Sequence, residues 1–500
     1  MKTLILRALL LGGVACLLCW VTPFRFAVGN QTLFLPVIAA ELDSPQLQSD
    51  FGVGLYQRYH PVFLALVKVG AGTFDYEPFS RWLHYTQIFF LLITGAWLLA
   101  RWMPFGKALP VCGSGLLLGF GLEGNRIFGR PYCEAASLAW PFLFLAWGFL
   151  FRRRIRISSL FFGVAVLLHI QLGLLGYALA TFGVVFGQRD KRSKKIRSLW
   201  ELSVWAIPMT LLSLLFYFPA HEPGMFGETW NQFLHLRLPH HYAIRPIPFL
   251  LVSAMLLCHG LWIRLLKSDS ADRLIFLQMA ALFVLCGLHY LDYSIVKWGL
   301  VTRLQPPRLS AIISFVEVAY FLAILSERLR KAWPGIGLLV LTSLAVYRHE
   351  AGIHGPVQRE WMDVCYWVRE NTDQSAVFIA PPYEEGFVWN ARRRQVADFK
   401  TSPNSGTISF LKWKERIDAI THNSLDACQG FGCLRKVREG FHKLEEGELR
   451  AISKKYGSRY LLTEHPFTNF TPIYSNAKYY LYAVLAGPKT QMVPPALTSE

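Results

Sequence analysis

RRRIRISSLFFGVAVLLHIQLGLLGYALATFGVVFGQRDKRSKKIR, residues 152–197, decides how this chain is folded. Two basic clusters flank one apolar run: Arg152, Arg153, Arg154 and Arg156 before it, and Arg189, Lys191, Arg192, Lys194, Lys195 and Arg197 after it. Basic residues in short loops are retained on the cytoplasmic side of a membrane. Inside the run, His169, Gln171 and Gly173 mark either the apex of a hairpin or the middle of one long helix. A single helix would strand one cluster on the far side. Two spans, 158–170 and 172–187, keep both inside, although each is shorter than the roughly 20 residues of a straight crossing.

Nine further apolar stretches lie on either side: 4–21, 84–100, 108–121, 135–151, 199–218, 246–266, 273–291, 309–325 and 333–347. With eleven spans and a cytoplasmic amino terminus, 20 basic residues fall inside and 11 outside, while 5 acids fall inside and 10 outside. That bias supports an α-helical polytopic bundle over residues 1–347, with everything after Tyr347 exported. A bacterial inner membrane is the expected setting. A composition of 53% hydrophobic and 17% charged residues excludes an ordinary soluble chain of this length. The net charge of +18 is concentrated before residue 348, where it follows topology, so lipid headgroups and not nucleic acid are its expected partner. The first span starts with Lys2 and Arg7, and no small-x-small site follows Trp20, so it reads as a retained anchor.

The loop 22–83 predicts two amphipathic helices lying near the interface, 31–42 and 60–72. Between them stand Asp43 and Asp50. Each carboxylate suits a helix cap; an exported carboxylate just above a bilayer also suits a general base or a cation ligand. Other exported loops gather polar groups at headgroup level: Glu123 and Arg126 in LEGNRIFGRPYCE, and Arg303 and Arg308 in DYSIVKWGLVTRLQPPRL. Arginine's planar fork suits phosphate, with snorkelling as the alternative. Glu317 lies deep in the tenth span, where a carboxylate needs a partner or a wet cavity, and His169 raises the same question more cheaply. The run HEPGMFGETWNQFLHLRLPHHY is rich in histidine but has no zinc spacing.

After Tyr347 the periodicity changes to that of a small exported α/β domain over 348–488, followed by a frayed Pro, Thr and Ser tail over 489–500. PVQREWMDVCYWVREN predicts a helix, SAVFIAPP and QVADFK strands, TISFLKWKERIDAI and ELRAISKKYG helices, SRYLLTE a strand, and PIYSNAKYYLYAVL a hairpin. In CQGFGC, Cys428 and Cys433 are spaced for a disulfide on an oxidising side. Arg392, Arg393 and Arg394 in PPYEEGFVWNARRRQVADFK suit either an anionic ligand or internal salt bridges.

A bundle with an amphipathic first exported loop and an exported α/β tail resembles the GT-C superfamily of lipid-linked glycosyltransferases. Trp361, Trp367 and Arg369-Glu370-Asn371-Thr372, with the strand that follows, are distantly similar to the oligosaccharyltransferase catalytic subunits, but Pro381-Pro382-Tyr383-Glu384-Glu385-Gly386 replaces their Trp-Trp-Asp motif. Protein N-glycosylation is therefore not implied. The WVRENT helix, the Pro-Pro turn, the Arg-rich strand entry and Asp398-Phe399-Lys400 are similar to a bacterial polytopic family carrying domain of unknown function 6798, a likeness covering most of the chain.

The resemblance implies an exported catalytic acid, best matched by Asp50. The usual Asp-x-Asp spacing is absent, so the metal is unknown and a divalent cation is left open as cofactor. The expected function is a membrane glycosyltransferase moving sugar from a polyprenyl-phosphate carrier to an exported acceptor. In it Asp50 is catalytic, Arg303 and Arg308 hold phosphate, Glu123 and Arg126 contact sugar, and His169 and Glu317 lie in the substrate-binding set. The alternative is a non-catalytic GT-C-like scaffold or lipid-binding component of cell-envelope assembly.

Overall fold

The computed structural model describes residues 2–484, except 119–120, 123–125, 188–191, 218–223, 226, 238–244, 266–269, 329–336, 338–339, 348–358, 404–405 and 431. Contacts divide the chain into two units: a bundle unit, Met1–Phe26 with Arg58–Gly355, and a tail unit, Ala27–Gln57 with Pro356–Glu500.

In the bundle unit, ten of the eleven apolar stretches are helices, and the described part of the last, 340–347, is helical as well. Among the described residues, six helices are long and apolar enough to cross a membrane, among them Ile170–Gly187, Arg192–Phe216 and Pro246–Arg264. Shorter apolar helices include Ile5–Val21, Phe105–Leu118, Ala135–Phe151 and Ile155–Leu168. The run 158–187 breaks at His169 into two helices, Ile155–Leu168 and Ile170–Gly187. A Cβ on Gly173 would lie 2.2 Å from the Val166 amide nitrogen. Only glycine admits that approach of the second helix to the first, so the apex is a close reversal. Phe144 stacks on Phe315 at 4.8 Å and Trp147 is fully buried, placing aromatics at the bundle's centre. Trp200, Leu215, Ile247, Leu250 and Leu257 are exposed instead. Apolar surface on that scale needs hydrocarbon to cover it.

The tail unit holds one five-stranded mixed sheet in the order β2-β1-β3-β5-β4. β1 (Val377–Ile379) runs parallel to β2 (Arg394–Gln395) and β3 (Tyr460–Thr463), and the hairpin of β4 (Pro472–Ser475) and β5 (Tyr480–Ala483) adds antiparallel to β3. The Arg359–Asn371 helix packs Trp361, Val364, Cys365 and Val368 against Phe378, Leu462 and Leu481 of the sheet. The Glu446–Tyr456 helix starts with a reciprocal capping box, Glu445 with Glu448, and stops at Gly457 in the left-handed region, φ 65°. Three α-helices of the tail unit went unread in the sequence: Phe51–Tyr56 and Phe387–Ala391, too short for a period, and Gly432–Phe441, whose apolar face is only Cys433, Val437, Gly440 and Phe441.

One element departs from its expected setting. Gln31–Leu42 does not present an apolar face outward; every residue from Gln31 to Ala40 is buried within the tail unit. Its apolar residues encircle the helix, which is the pattern of a core helix and not an interfacial one. Pro61–Phe74 in the bundle unit keeps the two-faced pattern, burying Phe63, Leu64 and Val67 while exposing Leu66, Val69 and Phe74.

Candidate functional sites

Asp50 sits where the Pro45–Ser49 turn hands over to the short Phe51–Tyr56 helix. Its extended backbone, φ −71° and ψ 136°, frees the side chain to cap that helix. Oδ1 accepts from the Val53 amide at 3.0 Å, and Oδ2 accepts from the Gln395 amide of β2 at 2.8 Å. Only 3% of Asp50 is exposed. Burial raises its pKa, partly offset by the amides of Gln395, Val53 and Gly52 and by the Arg416 guanidinium.

Asp50 lines a small cleft together with Thr32, Gly52, Gly386, Asp398 and Thr401. Its walls meet at glycines. A Cβ on Gly52 would press on Thr401 at 3.2 Å, and one on Gly386, at φ +83°, would press on Thr32 at 3.1 Å. The first-loop segment is tied across this cleft by Tyr56 Oη donating to the Ser402 carbonyl at 2.8 Å and by Arg394 Nη1 donating to Ser49 Oγ at 3.0 Å.

The arginine cluster beside it serves the fold. Arg393 is buried and donates to the carbonyls of Arg369 and Thr372, 2.7 and 2.6 Å away, closing the carboxyl end of the WVREN helix. Arg392 stacks on Trp389, its guanidinium carbon 3.7 Å from the ring centre. Neither the solvated salt-bridge cluster nor the ligand-facing cluster read from sequence describes Arg393.

In the bundle unit a second polar group forms around the His169 apex. The His169 and His60 rings lie 4.4 Å apart, and Tyr59 packs on His60 at 4.3 Å. His60 holds a left-handed backbone, φ 47°, immediately before Pro61 starts the next helix. Arg308 donates to Gln171 Oε1 at 3.2 Å, and its buried Nε has no hydrogen-bond partner among the described residues. Burial and then the neighbouring Arg308 push the His60 imidazole down to about 3, so it is neutral at physiological pH. Nearby Arg130 is paired with Glu134 at 2.9 Å, a contact that raises its pKa further. The neutral His60 imidazole and the His169 ring beside an arginine without a carboxylate partner among the described residues make a setting for a single anion.

The other expected residues are spread through the bundle unit. Arg303 lies over Trp230 at 5.4 Å, an indole fixed by its bond to Thr302 Oγ1 at 3.0 Å. Arg126 is exposed and feels Arg245, and Glu123 lies outside the described residues, as do His240 and His241. Glu317 is fully buried and meets His259 Nδ1 at 2.8 Å, with Tyr320 stacked on that imidazole at 4.1 Å. Of the site residues, the structure thus brings His169 and Arg308 together and keeps Glu317 in a separate interhelical pair. Sequence reading missed His60 and His259, each a lone histidine in an apolar run whose only signal was its cost of burial. Cys428 and Cys433 are joined in a disulfide. Among the described residues no group of three or more His, Cys, Asp or Glu gathers as a metal set.

A family model described as a domain of unknown function, DUF6798, matches residues 359–420. No curated protein matches the chain by sequence. Among solved structures, the chain is similar to the arabinofuranosyltransferase AftD from mycobacteria, solved by single-particle cryo-EM, with a TM-score of 0.50 and 14% identity over 96% of this chain. It spans 40% of the length of that protein. At such identity the likeness is one of fold alone.

Proposed function

We propose that the protein transfers a sugar from a polyprenyl-phosphate carrier to an exported acceptor, at the exported face of a bacterial inner membrane that the bundle crosses about eleven times. The observation that carries this reading is Asp50: a buried carboxylate of raised pKa lining a cleft, in a chain of GT-C-like fold. In the reaction an acceptor hydroxyl oxygen attacks the anomeric carbon. The bond from that carbon to the phosphate oxygen breaks, its electron pair stays on the phosphate, and Asp50 takes the acceptor's proton. Taken by itself, the bundle unit offers Arg308 beside His60 and His169 as a candidate phosphate grip, with Arg303, Glu123 and Arg126 as candidates for carrier and sugar.

The alternative, a non-catalytic scaffold or lipid-binding component, draws on one observation: both Asp50 oxygens already accept backbone amides. Purified wild type and Asp50→Asn in nanodiscs, incubated with radiolabelled polyprenyl-phosphate sugars, separate the two. Transfer predicts loss of label from the lipid by wild type and a fall of about a hundredfold or more in the variant. Turnover equal in both discards Asp50 as base, and no turnover with any donor favours the scaffold. Arg308→Gln is expected to weaken binding of farnesyl phosphate by about tenfold, measured by calorimetry.

A further inference from the structure

The connection that leaves the Ser270–Leu291 helix, residues 292–305, is built inside out for a loop in water. Its polar groups point inward. One π turn, Asp292–Val296, ends at Lys297 in the left-handed region, φ 58°, and the chain folds back over Asp292, a residue only 5% exposed. Asp292 Oδ1 accepts from the Gly299 amide at 3.0 Å, and Oδ2 accepts from the amides of Val301 and Thr302 at 2.7 and 3.1 Å. The Lys297 amide donates to the Asp292 carbonyl at 2.6 Å, and the Leu304 and Gln305 amides donate to the carbonyls of Val301 and Thr302. Asn231 Nδ2 donates to the Lys297 carbonyl at 2.9 Å.

The apolar side chains point outward instead. Ile295, Trp298 and Leu300 are 70%, 77% and 71% exposed, and Val296 and Leu304 beside them are exposed as well. They continue a surface that begins on the helix: Val284, Leu288, Leu291 and Ile295 are all exposed, and their spacing of four, three and four residues keeps them on one face. The loop is also braced. The Trp230 indole fills the space against Gly299, where a Cβ would lie 2.8 Å from its Cδ1, and donates to Thr302 Oγ1 at 3.0 Å. In water, large apolar side chains held open on a rigid frame are a cost with no return. In lipid the same frame is what lets an irregular backbone enter, because its amides are already paired.

We infer that residues 295–300 are a membrane seat, inserted into the phospholipid leaflet at that end of the helix, with Ile295, Trp298 and Leu300 among the upper acyl chains and the Lys297 ammonium at the phosphates. A tryptophan at the boundary of headgroup and acyl chain, and a lysine reaching back to phosphate, suit this depth. Continuity with the helix face selects the bilayer over a second copy or a soluble partner, since a protein docked on Ile295 would also have to displace lipid from Leu288 and Leu291. Trp230 couples the seat to Arg303: it packs on Gly299 and carries the Arg303 guanidinium 5.4 Å from its ring centre. The seat thereby sets the depth at which Arg303 stands. None of this depends on the bundle transferring sugar.

The test uses the full chain in nanodiscs of phosphatidylcholine and phosphatidylglycerol, with the exposed Cys16 and Cys258 and the half-buried Cys19 replaced by serine. Ile295→Cys, Trp298→Cys and Leu300→Cys are each labelled with a nitroxide. Collision with oxygen, which concentrates among acyl chains, is then compared with collision with a water-soluble nickel chelate. All three side chains are exposed, so the label displaces no packing, and thermal unfolding matched to the unlabelled protein verifies this. An excess of oxygen over nickel collision at all three residues is expected. Nickel collision in excess at any two of them makes this an aqueous loop and overturns the inference. Labels shielded from both colliders overturn it too, with dipolar broadening between nitroxides pointing to a second copy and its absence to another protein surface.

Discussion

Two apolar helices of one loop, Gln31–Leu42 and Pro61–Phe74, end up in different units. The first is buried from Gln31 to Ala40, packed on the Pro45–Ser49 and Phe51–Tyr56 turns that follow it and on the distant Phe387–Ala391 helix. The second buries one face in the bundle unit and leaves Val69 70% exposed. Both are apolar stretches too short or interrupted to span a bilayer, and both read as interfacial. Hydropathy measures how much a segment gains by leaving water; it does not say whether lipid or protein receives it.

Removing side chains from the two helices should therefore give unequal losses. Phe34 is 1% exposed, so Phe34→Ala is expected to cost about 3–5 kcal/mol, read as denaturant unfolding of the tail unit followed by its tryptophans. Equal tolerance at Phe34 and Val69 would end the distinction between the helices. Asp50→Ala comes next. It removes the cap from Val53 and leaves the buried Gln395 amide unpaired, for a combined loss of about 2–4 kcal/mol in the same measurement. Reducing Cys428–Cys433, which closes a loop with a sequence separation of 5, should lower the tail unit's stability by about 2 kcal/mol, visible as a shift in thermal unfolding with reductant.

A signed effect distinguishes two carboxylates of the tail unit. Asp50 is raised above its ordinary value by burial, so its contribution is complete at pH below the unfolded carboxyl range and is lost as pH rises through its folded pKa. Glu464 is the reverse. Burial works to raise it, but Lys478, Tyr383 and Arg438 hold it below the usual range, so its contribution is present above the unfolded value and is lost as pH falls through the folded one. Unfolding of Asp50→Asn and Glu464→Gln from pH 3 to pH 8 should remove pH dependences of opposite sign, an outcome measured best by calorimetry. The smallest effect is expected at Val69→Ala, within about 0.5 kcal/mol, because the side chain has little protein to lose.

The membrane helices were legible because each is a local property: a run of apolar residues bounded by arginine, as in 152–197, carries its own evidence. The hairpin of the tail unit and the stop at Gly457 were legible for the same reason, being matters of alternation and turn chemistry within a few residues. Asp50 was legible as a capping residue from its position before a helix. Its second partner, the Gln395 amide, was not, because 345 positions separate the two and no periodicity connects them. The contact of the His60 and His169 rings, the Arg393 cap on the WVREN helix and the His259–Glu317 pair were hidden on the same grounds.

From the residues alone come the helical bundle, its bias of charge, the α/β character of the tail and the suspicion attached to Asp50, Arg308 and Glu317. These follow from transfer energies and backbone preferences that each segment carries with it. The membership of residues 27–57 in the tail unit, the cleft around Asp50, the imidazoles beside Arg308 and the gathering of Tyr383, Glu384, Glu464 and Lys478 at one sheet edge emerge with the assembled fold. Their cause is the pairing of distant groups, settled by burial and hydrogen-bond satisfaction over the whole chain at once.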